Sequence, residues 1–351
     1  MTVYVGVDFH VKSQTVCWVD TADGEMHERT LDHQGEEVAA FYDQWTAPVT
    51  VGIEALGYAG WFHRLVEQRG HRLLVGDAYA IRQFARRRQK NDRRDAELIL
   101  DLLRRGDFPA VHRPSTASRE VLDLLHHRER LVGMRTRLKN SLQAVALNNG
   151  LARHRALFTT RGRAALVDLP LSAAEDWQRR DSLELLDQMG ERVAALDREL
   201  ERRAAADARV QRLRTHPGVG RLTALAVVHT LSPATRFRHS RQVAAYCGLD
   251  PTEYSSGERI HHGRISKQGN RLLRALLVEA SWSAIRHCDE LRRFYFHLAA
   301  HKSSGVAIVA VARKLAVRLY RLLRDDIDYE EFRRRGRDAW RARPVDEAVQ
   351  A

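Results

Sequence analysis

Four acidic residues, Asp8, Glu54, Asp92 and Asp95, recur in an order that suits phosphodiester chemistry. Breaking a phosphodiester develops negative charge on both the attacking and the leaving oxygen. Two divalent cations about 3.5–4 Å apart stabilise both, and hard carboxylate oxygens hold such cations. Asp92 and Asp95 stand three apart, so on a helix they share one face, and near its N-terminus the macrodipole favours them. Asp8 falls on the side of a strand opposite Val3, Val5 and Val7. Taken singly, each has a plainer reading as a surface strand residue or a capping acid. Taken in this order, Asp8, Glu54, Asp92 and Asp95 are the expected catalytic set, holding divalent metal.

Two further segments bear on phosphate. Between Arg82 and Arg94 the chain carries Arg82, Arg86, Arg87, Arg88, Lys90, Arg93 and Arg94 against Asp92 alone. Next to a metal site, such a run is expected to guide a nucleic-acid backbone rather than read bases. His216-Pro217-Gly218-Val219-Gly220 resembles a helix–hairpin–helix turn, in which Gly218 and Gly220 let backbone N–H groups point at a phosphate. The same turn can simply join two helices. Farther on, Ser255-Ser256-Gly257 is followed by Arg259, Arg264, Lys267, Arg271 and Arg274 with no acid from 259 to 274. A serine among such cations can attack a phosphodiester and become a phosphoserine, although most Ser-Gly pairs are only turns.

The elements that must position these residues follow from periodicity. Strands are expected at 3–7, 15–19 and 26–31, then a helix over 36–45, a strand over 49–54, a helix over 58–67 and a strand over 72–75. Three strands followed by helix–strand–helix–strand is the order of an α/β RNase H-like fold. A helix after Arg94 is stopped by Gly106 and Pro109. From Ser115, Leu124, Leu131, Leu138 and Val145 recur every seven residues, and Leu186, Val193 and Leu200 do so again, with Met189 and Leu196 between them. Two such helices, joined by an irregular 151–180, fit an antiparallel coiled-coil arm or two amphipathic helices in an ordinary bundle; long charged flanks and the lack of a large apolar surplus favour the arm. Helices near 222–231, 240–246, 268–285 and 305–324 complete a mostly α-helical C-terminal part, with a polar, poorly ordered tail beyond 326.

Bulk composition agrees. The 351 residues are 44% hydrophobic and 29% charged, a globular balance with length for about two domains. The formal charge of +13 favours a polyanionic partner, nucleic acid first. Cys17, Cys247 and Cys288 are too few and too scattered for a disulfide framework or a paired-cysteine metal site. No apolar run is long enough to span a membrane, and the N-terminus lacks a secretory pattern, so a cytoplasmic location is expected.

The stretch from Pro251 through Ser256-Gly257 to Gly263-Arg264-Ile265-Ser266-Lys267-x-Gly269-Asn270-x-x-Leu273-Arg274 closely resembles the C-terminal domain of the insertion-sequence "one-ten" family of transposases, the bridge-RNA-guided recombinases. Pro217-Gly218-Val219-Gly220 and Arg236-Phe237…Arg241-Gln242-x-x-Ala245-Tyr246-x-Gly248-Leu249 resemble the same domain. Asp8, Glu54, Asp92 and Asp95 match that family's RuvC-like DEDD domain. The resemblance implies a RuvC-like nuclease domain over 1–110, a dimerisation arm over 115–203, a C-terminal transposase domain over 205–325 and a tail over 326–351. It implies Mg2+ on the four carboxylates and a covalent bond from DNA to Ser256, the serine directly before the glycine, with Ser255 as its neighbour. It further implies element-end and target DNA as substrates, a non-coding bridge RNA as guide, and dimers that pair into a tetramer, one copy's acids working with another's serine. Two other readings remain: a RuvC-like junction nuclease that uses water alone, and a non-enzymatic architectural DNA-binding protein.

Overall fold

The computed structural model describes residues 2–85, 91–151, 156–256 and 259–336, and it defines 253–256 and 259–262 by their backbone pairing. The chain folds as two compact units, Met1–Arg113 and Pro114–Ala351.

The first unit is built on a five-stranded mixed sheet. Its elements run β1 (Val3–Phe9), β2 (Ser13–Asp20), β3 (Met26–Asp32), α1 (Glu37–Asp43), β4 (Thr50–Glu54), α2 (Gly60–Gln68), β5 (Arg72–Gly76), α3 (Ala78–Gln83) and α4 (Asp92–Arg105). The strand order is β3-β2-β1-β4-β5; β1–β2 and β2–β3 are antiparallel, while β1–β4 and β4–β5 are parallel. Period-two alternation divides the strands between two cores. Val3, Val5, Val7 and Phe9 pack with Phe41, Tyr42 and Phe62 of α1 and α2. Cys17 and Val19 pack on the other face with Ala96 and Leu100 of α4. Ile99, Leu102 and Leu103 extend that second layer toward Ile81 of α3. Edge strand β3 buries only Leu31, and its exposed residues include the charged Glu28, Arg29 and Asp32, which guard its open edge.

The second unit contains α5 (Thr116–Asn148), α6 (Thr160–Val167), α7 (Ala173–Ala206), α8 (Ala208–Arg214), α9 (Arg221–Leu231), α10 (Ser240–Tyr246), β6 (Pro251–Ser256), β7 (Arg259–Ile265), α11 (Arg271–His287), α12 (Asp289–Ala299), α13 (Ser304–Arg324) and α14 (Tyr329–Arg335). Helices α5 and α7, of 33 and 34 residues, lie antiparallel. Arg203 faces Glu120 at 3.6 Å, Arg128 donates to Asp197 at 2.9 Å, Gln178 to Ser141 at 3.2 Å, and Asn149 to Glu175 at 3.1 Å. One end of the pair, with Val121, Leu125, Leu200 and Ala204, merges into the main core of α9, α11 and α13. The other end closes over Leu157 and Leu166 with Leu142, Ala146 and Leu186.

Several expectations are revised here. The segment 151–180 is not irregular throughout: α6 occupies part of it, and α7 starts at Ala173 because Ser172 and Glu175 form a reciprocal capping box. Buried Arg179 of α7 then donates to the Leu166 carbonyl at 3.0 Å, which ties α6 down. Ser255 and Ser256, read as part of a Ser-Gly turn, lie in β6 of a two-stranded antiparallel hairpin, β6–β7, and Gly257 falls outside the described residues. The chain beyond Asp326 is not uniformly loose, since Ile327 is buried and Asp328 caps α14 through the Glu331 amide at 2.8 Å. Among the described residues no helix is long and apolar enough to cross a membrane.

Candidate functional site

A pair of glycines brings the acidic residues together. Gly6 of β1 and Gly52 of β4 are in register as parallel neighbours, and both face α4. A Cβ on Gly6 would fall 2.3 Å from the Ala96 carbonyl oxygen and 2.6 Å from the Leu100 amide nitrogen. On Gly52 it would meet Leu103 Cδ1 at 2.8 Å. The helix therefore rests almost directly on the strand backbones. Two residues farther along each strand, on the same face, come Asp8 and Glu54.

Helix α4 runs antiparallel to β1, so its N-terminus lies at the end of the sheet that carries Asp8. Asn91 caps it by accepting from the Arg93 amide at 3.1 Å, and Asp92 and Asp95 fall in its first turn. There the unsatisfied N–H groups and the macrodipole offset part of their charge.

Among the described residues the closest group of donors is Asp8, His10 and Asp92, whose ligand atoms all lie within 4.8 Å of one another. His10 Nε2 is 3.0 Å from Asp8 Oδ2 and 3.2 Å from Asp92 Oδ2. Asp95 stands near enough for its charge to act on Asp8. Burial pushes the Asp8 carboxyl above its usual range; His10 pulls it back, and the charges of Asp95 and Asp92 push it up again. Crowded carboxylates with one imidazole between them fit a divalent cation, because the oxygens are hard donors and a cation relieves their repulsion. Glu54 is not one of the three closest donors; its Oε1 lies 3.6 Å from Arg82 Nη2 of α3.

His10 was not anticipated from the sequence. Its signal was the Asp8-x-His10 spacing, which alternation assigns to one side of a strand.

The basic run divides. Arg93 is engaged within the unit by Glu28 at 3.0 Å and Glu97 at 2.8 Å, and Arg82 pairs with Glu54. Arg94 is exposed. Arg86, Arg87, Arg88 and Lys90 lie outside the described residues.

In the second unit, Ser255 and Ser256 belong to β6, where Ser255 pairs with Ile260 and Ser256 with Arg259 across the hairpin. The foot of the hairpin is clasped. Gly248, with φ +64°, and Gly269, with φ +97°, let two loops approach so closely that a Cβ would meet the Gln268 carbonyl oxygen at 2.0 Å and the Tyr246 carbonyl oxygen at 2.3 Å, respectively. Ser266 adds two bonds to Asp250, amide to carbonyl and hydroxyl to carboxylate, both 2.9 Å. Arg264, Lys267 and Arg271 are exposed beside this foot, while half-buried Arg274 donates to the Cys247 carbonyl at 3.3 Å.

The Pro217–Gly220 turn joins α8 to α9. Gly218, with φ +86°, packs against the backbone of Ala284 in α11, where a Cβ would approach the amide nitrogen to 2.3 Å. Gly220 is exposed at the N-cap of α9. Close helix packing thus explains Gly218, and Gly220 is the member of the pair open to a phosphate.

Comparison with known proteins bears on both units. A DEDD transposase family model matches residues 5–148, and a model described as "Transposase IS116/IS110/IS902 family" matches residues 210–296. The chain is 30% identical over 339 residues to a "Probable family 20 transposase" of Pseudomonas aeruginosa, covering 93% of this chain and 98% of that protein. It is 29% identical to the "Transposase for insertion sequence element IS1111A" of Coxiella burnetii, over 91% of this chain and 89% of that protein. It is also 29% identical to the "Transposase for insertion sequence element IS1328" of Yersinia enterocolitica, over 77% and 82%.

Proposed function

Because the chain belongs to the IS116/IS110/IS902 family of insertion-sequence transposases, we propose that it excises and integrates its element by metal-dependent strand exchange through a phosphoserine bond to DNA. The observation that carries this reading is the convergence of Asp8 and Asp92 around His10, with Asp95 acting on Asp8. In this reading the first unit is RNase H-like, and Asp8, Glu54, Asp92 and Asp95 serve a divalent ion, Mg2+ or a close equivalent. When bound, that ion supplies charge stabilisation at the reacting oxygens.

The protein's own groups do the rest. Asp8 and Asp92 present carboxylate oxygens from a strand end and a helix start that are packed against each other, so they are held before substrate arrives. The Ser256 hydroxyl gives up its proton and attacks phosphorus, and one P–O bond to serine forms as one P–O bond to deoxyribose breaks. The departing oxygen takes the electron pair and a proton. One diester replaces another, so the reverse attack rejoins a strand without an external energy source. Arg264, Lys267 and Arg271, at the foot of the serine hairpin, offer positive charge to backbone phosphates of the bound DNA away from the serine. Gly220, Arg86, Arg87, Arg88 and Lys90 grip backbone phosphates elsewhere.

The α5–α7 pair serves as a dimerising coiled-coil arm in this reading, bringing one copy's acids to a partner's serine. A bridge RNA made by the element supplies sequence recognition.

Ser256→Ala should abolish a covalent protein–DNA species on a supercoiled donor plasmid while DNA binding survives. An adduct that persists in Ser256→Ala but vanishes in Ser255→Ala moves the nucleophile by one residue; an adduct that survives both removes the serine mechanism. Strand cleavage that continues in excess chelator removes the metal.

A further inference from the structure

His10 sits between two carboxylates, its Nε2 3.0 Å from Asp8 Oδ2 and 3.2 Å from Asp92 Oδ2. These are hydrogen-bond lengths. They are also the separation of neighbouring ligands on a small octahedral ion, about 3.0 Å when metal–ligand bonds are about 2.1 Å. The position of His10 is set by the backbone, because its amide donates to the Ser13 carbonyl at 2.9 Å and closes the turn from β1 to β2. The neighbouring His33 is turned elsewhere, with its Nδ1 3.3 Å from the Val11 carbonyl and its ring against Phe9 and Trp61.

Nitrogen changes what the site selects. Mg2+ favours an all-oxygen shell, whereas first-row transition ions accept imidazole, with affinity rising from Mn2+ through Co2+. We infer that His10 is a nitrogen ligand of the divalent-ion position, alongside Asp8 and Asp92, and that the site takes Mn2+ in preference to Mg2+. This rests on the reading that Asp8 and Asp92 bind a divalent ion. It differs from a purely neutralising role in sign: a histidine that only balances the carboxylates competes with the ion, and its loss strengthens binding, whereas the loss of a ligand weakens it.

The full-length chain is titrated with Mn2+, with Mg2+ as competitor, while the Mn2+ electron paramagnetic resonance signal and its 14N spin-echo modulation are recorded. Wild type should show 14N modulation and keep Mn2+ against an about tenfold or larger excess of Mg2+. His10→Gln should bind Mn2+ about tenfold more weakly, without modulation and without the preference. Asp8→Asn should bind neither ion. His10→Ala is measured in parallel, so that misfolding of one variant, checked by circular dichroism, leaves the other to decide. Mn2+ bound by wild type without 14N modulation, modulation that persists in the His10 variants, or tighter binding by His10→Ala overturns His10 as a ligand and leaves the carboxylate site standing. A wild-type chain that retains no Mn2+ overturns the metal reading itself.

Discussion

A single methyl group on Gly6 separates backbone seating from ordinary packing in the layer beneath the acidic group. The new Cβ would lie 2.3 Å from Ala96 O, 2.6 Å from Leu100 N and 3.0 Å from Leu100 Cα. Non-bonded heavy atoms settle about 3.5 Å apart, so α4 must lift by about 1 Å. None of the three contacts is a side-chain end that can rotate away. Overpacking of this kind costs about 1–3 kcal/mol. Lifting α4 also carries Asp92 from its 3.2 Å contact with His10 to about 4 Å, past hydrogen-bond reach. Gly52→Ala is the matched comparison. Its methyl meets Leu103 Cδ1 at 2.8 Å, a side-chain end that can turn away, and Ile99 Cγ2 at 3.0 Å, a branch methyl that needs to give only a few tenths of an ångström, so its cost should stay under about 1 kcal/mol. Hydrogen exchange on peptides from β1, β4 and α4 reads the difference locally. Gly6→Ala should exchange about 5- to 150-fold faster than wild type, and divalent-ion affinity should fall in the same sample. Exchange within twofold of wild type, or a Gly52→Ala variant hurt as badly, would refute the seating argument.

Asp8→Asn should separate stability from function. With its carboxyl pushed up from 3.8, mainly by burial, ionised Asp8 is penalised in the ion-free fold, and stability falls as pH rises from 3.8 through the raised value. The amide should therefore raise the urea midpoint of the ion-free protein at pH 7 and cut metal-dependent strand cleavage by about a hundredfold or more. His216 is held neutral by burial, its pKa lowered to about 4, with Nδ1 against the Pro217 carbonyl at 2.9 Å and Nε2 unpartnered. Its contribution is complete above 6.5 and is lost as pH falls toward 4, an effect of about 3 kcal/mol. Urea titrations followed by helix circular dichroism between pH 7 and 4.5 should show this loss, and His216→Gln should flatten it. Gly133 in α5 and Gly190 in α7 have open space where a Cβ would go, so Gly133→Ala and Gly190→Ala should each stabilise by about 0.5–1 kcal/mol in thermal melts.

Much of the first unit was legible because half-covered strands write period two into the sequence. Val3, Val5 and Val7 located β1 and placed Asp8 on its other face, and the Asp92–Asp95 spacing marked a helix start. Helix α10 falls at its expected bounds, 240–246. Other features left weaker traces. Gly6 and Gly52 matter only because β1 and β4 are register neighbours under α4, a long-range fact that no local window contains. His10 stands one residue past the end of β1, so its spacing from Asp8 is a faint trace of a shared face. Ser255 and Ser256 have little strand propensity, so β6 reads as a turn and forms through pairing with β7. Helix α12 was missed because only Cys288 separates it from α11, with neither glycine nor proline to announce a break. The residue types alone favour a turn at Ser256-Gly257; its proposed role comes from the family pattern.

The clasped foot of the β6–β7 hairpin sets a radius of action. Among the described residues these two strands pair only with each other, so nothing in the sheet extends them. Six residues of β6 at about 3.3 Å each reach about 20 Å from the anchorage between α10 and α11. In the proposed reaction, the phosphate attacked by Ser256 has to be brought inside that compass.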